Sequence, residues 1–174
     1  MKNIVFTLNL LIITVINGYA LDMNPVELRK KFYYSVESGK VAREFLAELE
    51  TNTSKDPLIK GYRAAVSMVM ANHAFNPYSK FKYFIDGRRL LENTLKDNPT
   101  NIELRLIRFA IQTNVPSFLG YSSEIKADKE FLIKNLNSLN VEKEADKQLK
   151  SHIVNYLILS KVCNKQELDL ISKT

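Results

Sequence analysis

The chain has 174 residues, 45% of them hydrophobic and 25% charged, a balance typical of a single globular domain. With only 5 glycines and no Trp, it is poor in the turn residues of β-sandwiches and barrels, so helices are favoured. The net charge of +6 suits an anionic partner, but the lysines are scattered and no long basic run occurs, so we expect no nucleic acid partner. The single Cys163 excludes an intramolecular disulfide, and its apolar neighbours indicate an inert, buried thiol.

The N-terminus has the three-part form of a cleavable secretory signal. Lys2 supplies positive charge, residues 4–16 are a short apolar run, and Gly18 and Ala20 are small residues at the spacing that signal peptidase accepts. Such a run rises about 20 Å as a helix, against about 30 Å for the bilayer core, so a permanent span is the weaker interpretation. We expect a signal peptide over residues 1–20, one domain over residues 21–174, and a periplasmic or secreted location; an uncleaved anchor or a buried N-terminal helix are the alternatives.

Proline positions predict where the helices begin. Four of the five prolines follow Asn or Asp, the preferred N-cap residues, and proline is tolerated at the first helical position. The first three pairs predict helix starts, whereas Asn98-Pro99 is expected to end one helix and lead into the next, with Thr100 or Asn101 as the cap. The predicted helices cover residues 25–38, 41–51, 57–72, 77–97, 101–113, 123–136 and 141–161, with a short last turn at 166–172. No segment alternates with period two. The predicted fold is all-α, with about six to eight helices packed as antiparallel pairs.

One window fits a tetratricopeptide-like hairpin in the middle of the chain. If Pro99 is the closing proline, Tyr78 falls on the aromatic position of the first helix, and Gly87, Leu91 and Thr94 fall on packing positions of the second. The Trp and first-helix Gly positions do not match, and the next window does not repeat the pattern. The pattern therefore predicts one degenerate hairpin and no regular array.

The helix predicted at 101–113 is apolar on most sides, but Asn101, Arg105, Arg108 and Gln112 form one polar stripe about 60° wide. In a structural interpretation, the two arginines pair with carboxylates and fix the helix register. The candidate partners are Glu92, Glu103 and Asp128. In a functional interpretation, the arginines line a pocket with Gln112 and Asn114 that binds a carboxylate or phosphate. Arg88 and Glu92 lie four residues apart on the apolar face of the preceding helix and predict a buried charge pair.

The connection at residues 114–121 is apolar for a loop. Phe118 and Leu119 either pack under the domain or form an interaction patch. Phe81 is assigned to the apolar face of its helix, and for most of the aromatic residues near helix ends we expect core packing. Those residues are Tyr62, Phe75, Tyr78 and Tyr83.

Evidence for an enzyme is thin, so a non-enzyme is the preferred interpretation. His73 and His152 are the only histidines and have no metal-ligand spacing, and no GxSxG or phosphate-binding glycine loop occurs. We therefore predict no catalytic residue, metal or cofactor.

The middle of the chain, residues 62–132, carries a set of residues that matches a known group. They are Asn76-Pro77, Lys80, Phe84, Gly87, Leu91-Glu92, Asn98-Pro99, Asn101, Glu103, Arg105, Arg108-Phe109, Gln112, Asn114, Pro116 and Phe118-Leu119-Gly120-Tyr121. In these residues the chain resembles uncharacterised small exported proteins of Bacteroidetes-type bacteria. The resemblance implies a helical envelope or secreted protein and no particular activity.

Together these patterns predict a non-enzymatic, exported helical module that binds another envelope protein or a small anionic ligand. The candidate binding residues are Arg105, Arg108, Gln112, Asn114, Phe118 and Tyr121. The alternatives are an enzyme that acts on an envelope polymer and a peripheral module on anionic lipid, which requires a basic face.

Overall fold

The computed structural model describes residues 23–173, and this part of the chain is helical without strands. Its helices are α1 (Pro25–Glu37), α2 (Gly39–Thr51), α3 (Pro57–His73), α4 (Pro77–Asp97), α5 (Ile102–Asn114), α6 (Ile125–Asn135), α7 (Glu144–Leu159) and α8 (Lys165–Ile171). Short 3-10 turns lie at Ser117–Leu119 and Leu136–Ser138. The predicted all-α class is confirmed. The predicted signal peptide lies outside the described residues.

The first three Asn-Pro and Asp-Pro pairs begin helices as predicted, and Asn98-Pro99 lies between the end of α4 and the start of α5, also as predicted. The side chains of Asn24, Asp56 and Asn76 each accept a hydrogen bond from a backbone N–H in the first turn of α1, α3 and α4. Asn101 does the same for α5, with two N–H donors. These caps satisfy donors that an isolated helix end leaves unpaired.

The connection from α1 to α2 differs from the prediction. The two helices were predicted at residues 25–38 and 41–51, but Ser38 both ends α1 and caps α2, and Gly39 is the first residue of α2. The side chain of His73 lies against Gly39, about 3.1 Å from where a Cβ would stand. The glycine therefore serves the close approach of α2 to the end of α3.

A first hydrophobic core is formed by helices α1, α2, α3 and α4 together with one side of α5. Its most closely packed pair is α3 and α4. The two helices run antiparallel: Ser67 donates to the Tyr83 carbonyl, and Ala64, earlier in α3, lies against Gly87, later in α4. A Cβ on Gly87 would stand 2.6 Å from the Ala64 carbonyl oxygen, so only glycine allows this approach. This packing as a helical pair agrees with the prediction.

The tetratricopeptide register is wrong. That register placed Tyr78 on a first helix and Gly87 on a second, but both belong to α4. Asn76-Pro77 caps and begins this helix upstream of both residues, so no turn separates them. The hairpin in the middle of the chain is α3–α4 instead.

A second core lies between α5, α6, α7 and α8. It contains Phe109, Leu132, Leu136, Leu149, Ile153, Leu157 and Ile171. Cys163 was predicted to be buried but is half-buried against this core, and this burial raises the pKa of its thiol. Helix α5 thus faces both cores, with Leu104 and Ile107 in the first and Phe109 in the second.

Between residues 23 and 173, none of the helices combines the length and the apolar character that crossing a bilayer requires.

Candidate functional site

The polar stripe of α5 forms as predicted and faces the first turn of α6. Arg108 and Gln112 are buried, whereas Arg105 is half-buried at the edge of the stripe. Asn101 caps the same helix, so the stripe starts at a fixed helix end. Its position between α4 and α6 decides which groups the guanidinium ions meet.

Asp128 on α6 is the centre of the resulting polar network. The side chain is fully buried and accepts hydrogen bonds from Arg108 Nε at 2.7 Å and Nη2 at 2.8 Å. Arg105 Nη1 donates to the same carboxylate at 2.7 Å, and its Nε donates to the Pro99 carbonyl at 2.9 Å. A two-pronged guanidinium–carboxylate contact of this kind is strong and fixes orientation. Asp128 therefore fastens α6 to α5.

Glu92 on α4 is the second carboxylate of the network. It accepts from Arg108 Nη1 at 2.9 Å and from the Tyr121 hydroxyl at 2.6 Å. Burial disfavours the charged form of Arg108, but Asp128 and Glu92 raise its pKa above the ordinary value. Burial and the Glu92 carboxylate likewise raise the pKa of Tyr121. Arg108 therefore stays charged and Tyr121 stays protonated at physiological pH.

The predicted buried pair of Arg88 and Glu92 is wrong. Both residues are half-buried, and Glu92 takes Arg108 and Tyr121 as partners. The Arg88 guanidinium lies over the Tyr121 ring, 4.7 Å from its centroid, in a cation–π contact. The loop after α5 thus inserts an aromatic ring beside the two side chains that were expected to pair.

Gln112 ends the stripe and holds the start of α6. Its Oε1 accepts from the Glu124 backbone N–H at 3.1 Å, while its buried Nε2 has no hydrogen-bond partner between residues 23 and 173. Glu124 also lies 3.6 Å from Arg108 Nη2. Glu103, an expected partner of the stripe, faces the other side of α5 and binds Arg29 instead.

The network supports the structural interpretation of the two arginines better than the anion-binding one. Three carboxylates, Glu92, Glu124 and Asp128, surround the two guanidinium ions, so the arginines bring no excess positive charge. A shallow pocket of about 240 Å³ lies over the network. Its walls are Glu92, Leu95, Lys96, Pro99, Arg105, Arg108 and Glu124, a mixture of both charges. A carboxylate or phosphate entering this pocket would have to compete with the protein's own carboxylates.

The remaining predicted site residues do not line this pocket. Asn114 donates to the Ala110 carbonyl and to the Tyr156 hydroxyl, and so links α5 to α7. Tyr121 is buried against Phe84, with ring centroids 6.0 Å apart. Phe118 is 84% exposed, whereas Leu119 beside it packs on the first core. Of the six predicted binding residues, Phe118 is the one that presents a large apolar side chain to solvent.

A second exposed aromatic surface was not predicted. We call it the aromatic end: Phe75 in the α3–α4 turn is fully exposed, and Tyr78 and Phe81 in the first two turns of α4 are 78% and 59% exposed. For Phe81, and for Phe75 and Tyr78 among the aromatics near helix ends, the expectation of core packing is wrong. The buried face of α4 is centred near Leu91, from which Phe81 and Tyr78 are rotated by about 80° and 140° at 100° per residue.

A second buried ion pair was also missed. Arg29 on α1 makes two hydrogen bonds of 2.7 Å to Glu103 on α5, and a third of 2.8 Å to the Ala145 carbonyl at the start of α7. The Tyr62 hydroxyl on α3 donates to the same Glu103 at 2.7 Å. Burial and Glu103 raise the pKa of Tyr62 well above the ordinary value. These contacts connect four helices inside the molecule and leave no open site.

The histidines and acidic residues do not gather into a metal centre in the part of the chain that the structure describes. His73 makes a 3.0 Å hydrogen bond between its Nε2 and the Ser35 carbonyl and so ties the end of α3 to the end of α1.

The fold and the site therefore define an all-helical protein with two internal arginine–carboxylate networks and exposed aromatic surfaces. Comparison with known proteins gives no match to a family model, to a curated protein or to a solved structure.

Proposed function

We propose that this chain is an exported, non-enzymatic helical module that binds a component of the cell envelope through its exposed aromatic side chains. The observation that carries the proposal is the exposure of Phe75, Tyr78, Phe81 and Phe118. Most other aromatic residues between positions 23 and 173 are packed, and the exceptions are Tyr33 and Tyr34 on α1. Aromatic side chains are enriched in contact surfaces because each one brings a large apolar area with few rotatable bonds.

The packing around Phe118 supports this proposal because it fixes the loop that carries this side chain. Val115 and Leu119 pack on the first core on either side of Phe118, and Tyr121 is held by Glu92. The loop that carries Phe118 is therefore fixed at both ends. A fixed loop loses little conformational freedom when it binds, which favours affinity.

The small-anion version of the proposal has less support. Arg105 and Arg108 donate to protein carboxylates and to a backbone carbonyl, so binding an anion would require breaking bonds inside the network. A partner that contacts Phe118 or the aromatic end leaves those bonds in place.

Site-specific photocrosslinking in the native cells tests the proposal. A photoreactive phenylalanine analogue is placed at Phe75, Phe81 or Phe118, and at exposed Lys147 on α7 as a matched control. We expect one discrete adduct, with protein or with lipid, at one or more aromatic positions and none at position 147. Equal labelling at all four positions, or no adduct at any of them, contradicts the proposal.

A further inference from the structure

The aromatic end has a geometry suited to shallow insertion into a soft surface. Phe75 lies in the turn between α3 and α4, and Tyr78 and Phe81 follow in the first two turns of α4, about 60° apart around the helix. Side chains of a helix tilt toward its N-terminus. The rings of Tyr78 and Phe81 therefore lean toward the turn that carries Phe75, and all three project from one end of the hairpin.

Basic residues alternate with these aromatic residues. Lys80 and Lys82 lie between and beside them, and residues 74–85 contain no Asp or Glu. Lys82 pairs with Asp86 one turn further along, whereas Lys80 forms no salt bridge within residues 23–173. The local charge of the aromatic end is positive, in keeping with the net charge of +6 for the whole chain.

The neighbouring α1–α2 turn lies at the same end of the molecule. His73, two residues before Phe75, touches Gly39 and bonds to the Ser35 carbonyl. This turn adds the exposed Lys40, which lies 3.9 Å from Glu44. The last part of α1, which leads into this turn, carries two exposed apolar side chains, Tyr34 and Val36.

The position and composition of this surface favour a lipid surface over a protein partner. Its apolar part is formed by three exposed aromatic side chains. They lie in the α3–α4 turn and in the first two turns of α4, at one end of the hairpin. Aromatic rings beside lysines are the composition that proteins place at the headgroup level of membranes.

We propose that the aromatic end docks the protein on the surface of an anionic lipid bilayer. Phe75, Tyr78 and Phe81 insert to the headgroup boundary, while Lys80, which forms no salt bridge within residues 23–173, lies against anionic headgroups. This inference rests on the proposed function, since it names the component that one of its exposed aromatic surfaces contacts.

The absence of Trp from the chain gives a clean test. Phe75→Trp in the full chain places a single fluorophore at the tip, and Phe118→Trp is the matched control on the other exposed loop. With vesicles of phosphatidylglycerol and phosphatidylcholine, we expect a blue shift of the emission at position 75 and quenching by brominated lipid. At position 118 we expect little change.

Variants and salt complete the test. Phe75→Ser with Tyr78→Ser in the Phe118→Trp background should weaken vesicle co-sedimentation at least tenfold while helicity stays the same. Because both positions are solvent-exposed, this pair leaves the core intact; Lys80→Glu alone, which removes no apolar contact, is the second variant and should also weaken binding. Binding should fall with added salt and with purely phosphatidylcholine vesicles.

The proposal is overturned if the emission at position 75 does not respond to anionic vesicles, or if positions 75 and 118 are quenched equally. A protein adduct at Phe75 in native cells, with no response to vesicles, overturns the lipid assignment and leaves the proposed function standing. No crosslink at any aromatic position, together with no response to vesicles, overturns both.

Discussion

Asp128 illustrates how one buried carboxylate can organise a helical surface. It accepts three hydrogen bonds from Arg105 and Arg108 while fully excluded from water. A buried ion needs such partners, because leaving it uncompensated costs several kcal/mol. The two arginines therefore depend on Asp128 more than on Glu92, which is about one-third exposed.

Asp128→Asn is expected to lower the free energy of unfolding by about 3–5 kcal/mol, because it leaves buried Arg108 without its main counter-charge. Urea denaturation followed by circular dichroism measures the change. The matched control is Asp86→Asn, which breaks the exposed pair with Lys82 and should leave the unfolding free energy almost unchanged. Equal effects of the two substitutions would show that the Asp128 network does not hold the fold.

At the scale of helices, α3 and α4 form the closest pair in the molecule. Their contact depends on Gly87, where no side chain separates α4 from the Ala64 carbonyl. The side chain and backbone of Met68 on α3 also lie against Gly87. Such tight packing leaves no room for an added methyl group.

Gly87→Ala is expected to destabilise the fold by about 1–3 kcal/mol, although Ala favours a helix over Gly by about 1 kcal/mol. The new Cβ would stand 2.6 Å from a backbone oxygen that cannot move alone. Gly39→Ala is the comparison, since its Cβ would meet the His73 side chain at 3.1 Å, and we expect a smaller loss. Thermal unfolding of both variants gives the answer, and a Gly87→Ala protein as stable as wild type would refute the close-contact argument.

Local patterns explain why helix starts were predictable and several contacts were not. Asn24, Asp56 and Asn76 cap their helices through side-chain bonds to residues two or three positions away, which a sequence displays directly. The stripe of Arg105 and Arg108 is likewise a periodic pattern along one helix. By contrast, the pairing of Arg29 with Glu103 joins residues 74 positions apart, and nothing near Arg29 indicates its partner.

The rotation of α4 about its axis explains why the exposure of the aromatic end was not predicted. Phe81, Phe84, Ile85 and Leu91 fit one broad apolar face in sequence, so burial of Phe81 was a fair expectation. The choice among neighbouring faces depends on where Gly87 meets α3 and where Tyr121 reaches Phe84. Both are tertiary contacts, and they leave Phe81 at the margin.

At the scale of the whole molecule, the Arg29–Glu103 pair connects parts of the chain that are distant in sequence. It brings α1, α3 and α5 together and reaches the first turn of α7 through the Ala145 carbonyl. Its position between the helices of the first core and α7 makes it a link between the two halves of the fold.

Arg29→Met and Glu103→Met are each expected to cost about 3–5 kcal/mol of unfolding free energy, because each leaves the other charge buried alone. The double variant should cost clearly less than the sum, since it removes both charges. A double-mutant cycle measures this coupling. Tyr62→Phe, which removes one hydrogen bond to Glu103, is the control and should cost about 1 kcal/mol. Strictly additive losses would contradict a direct pairing.

Because α5 faces both cores, the order in which the chain can fold is constrained. The first core draws on consecutive helices joined by short turns, so its contacts close small loops, and we expect them to form early. The second core needs Phe109 from α5 and then the C-terminal helices, and the bond from Arg29 to Ala145 closes a loop of 116 residues. During synthesis, which proceeds from the N-terminus, helices α1 to α5 can therefore pack before α7 has been made. Helices α6, α7 and α8 then pack against the exposed side of α5.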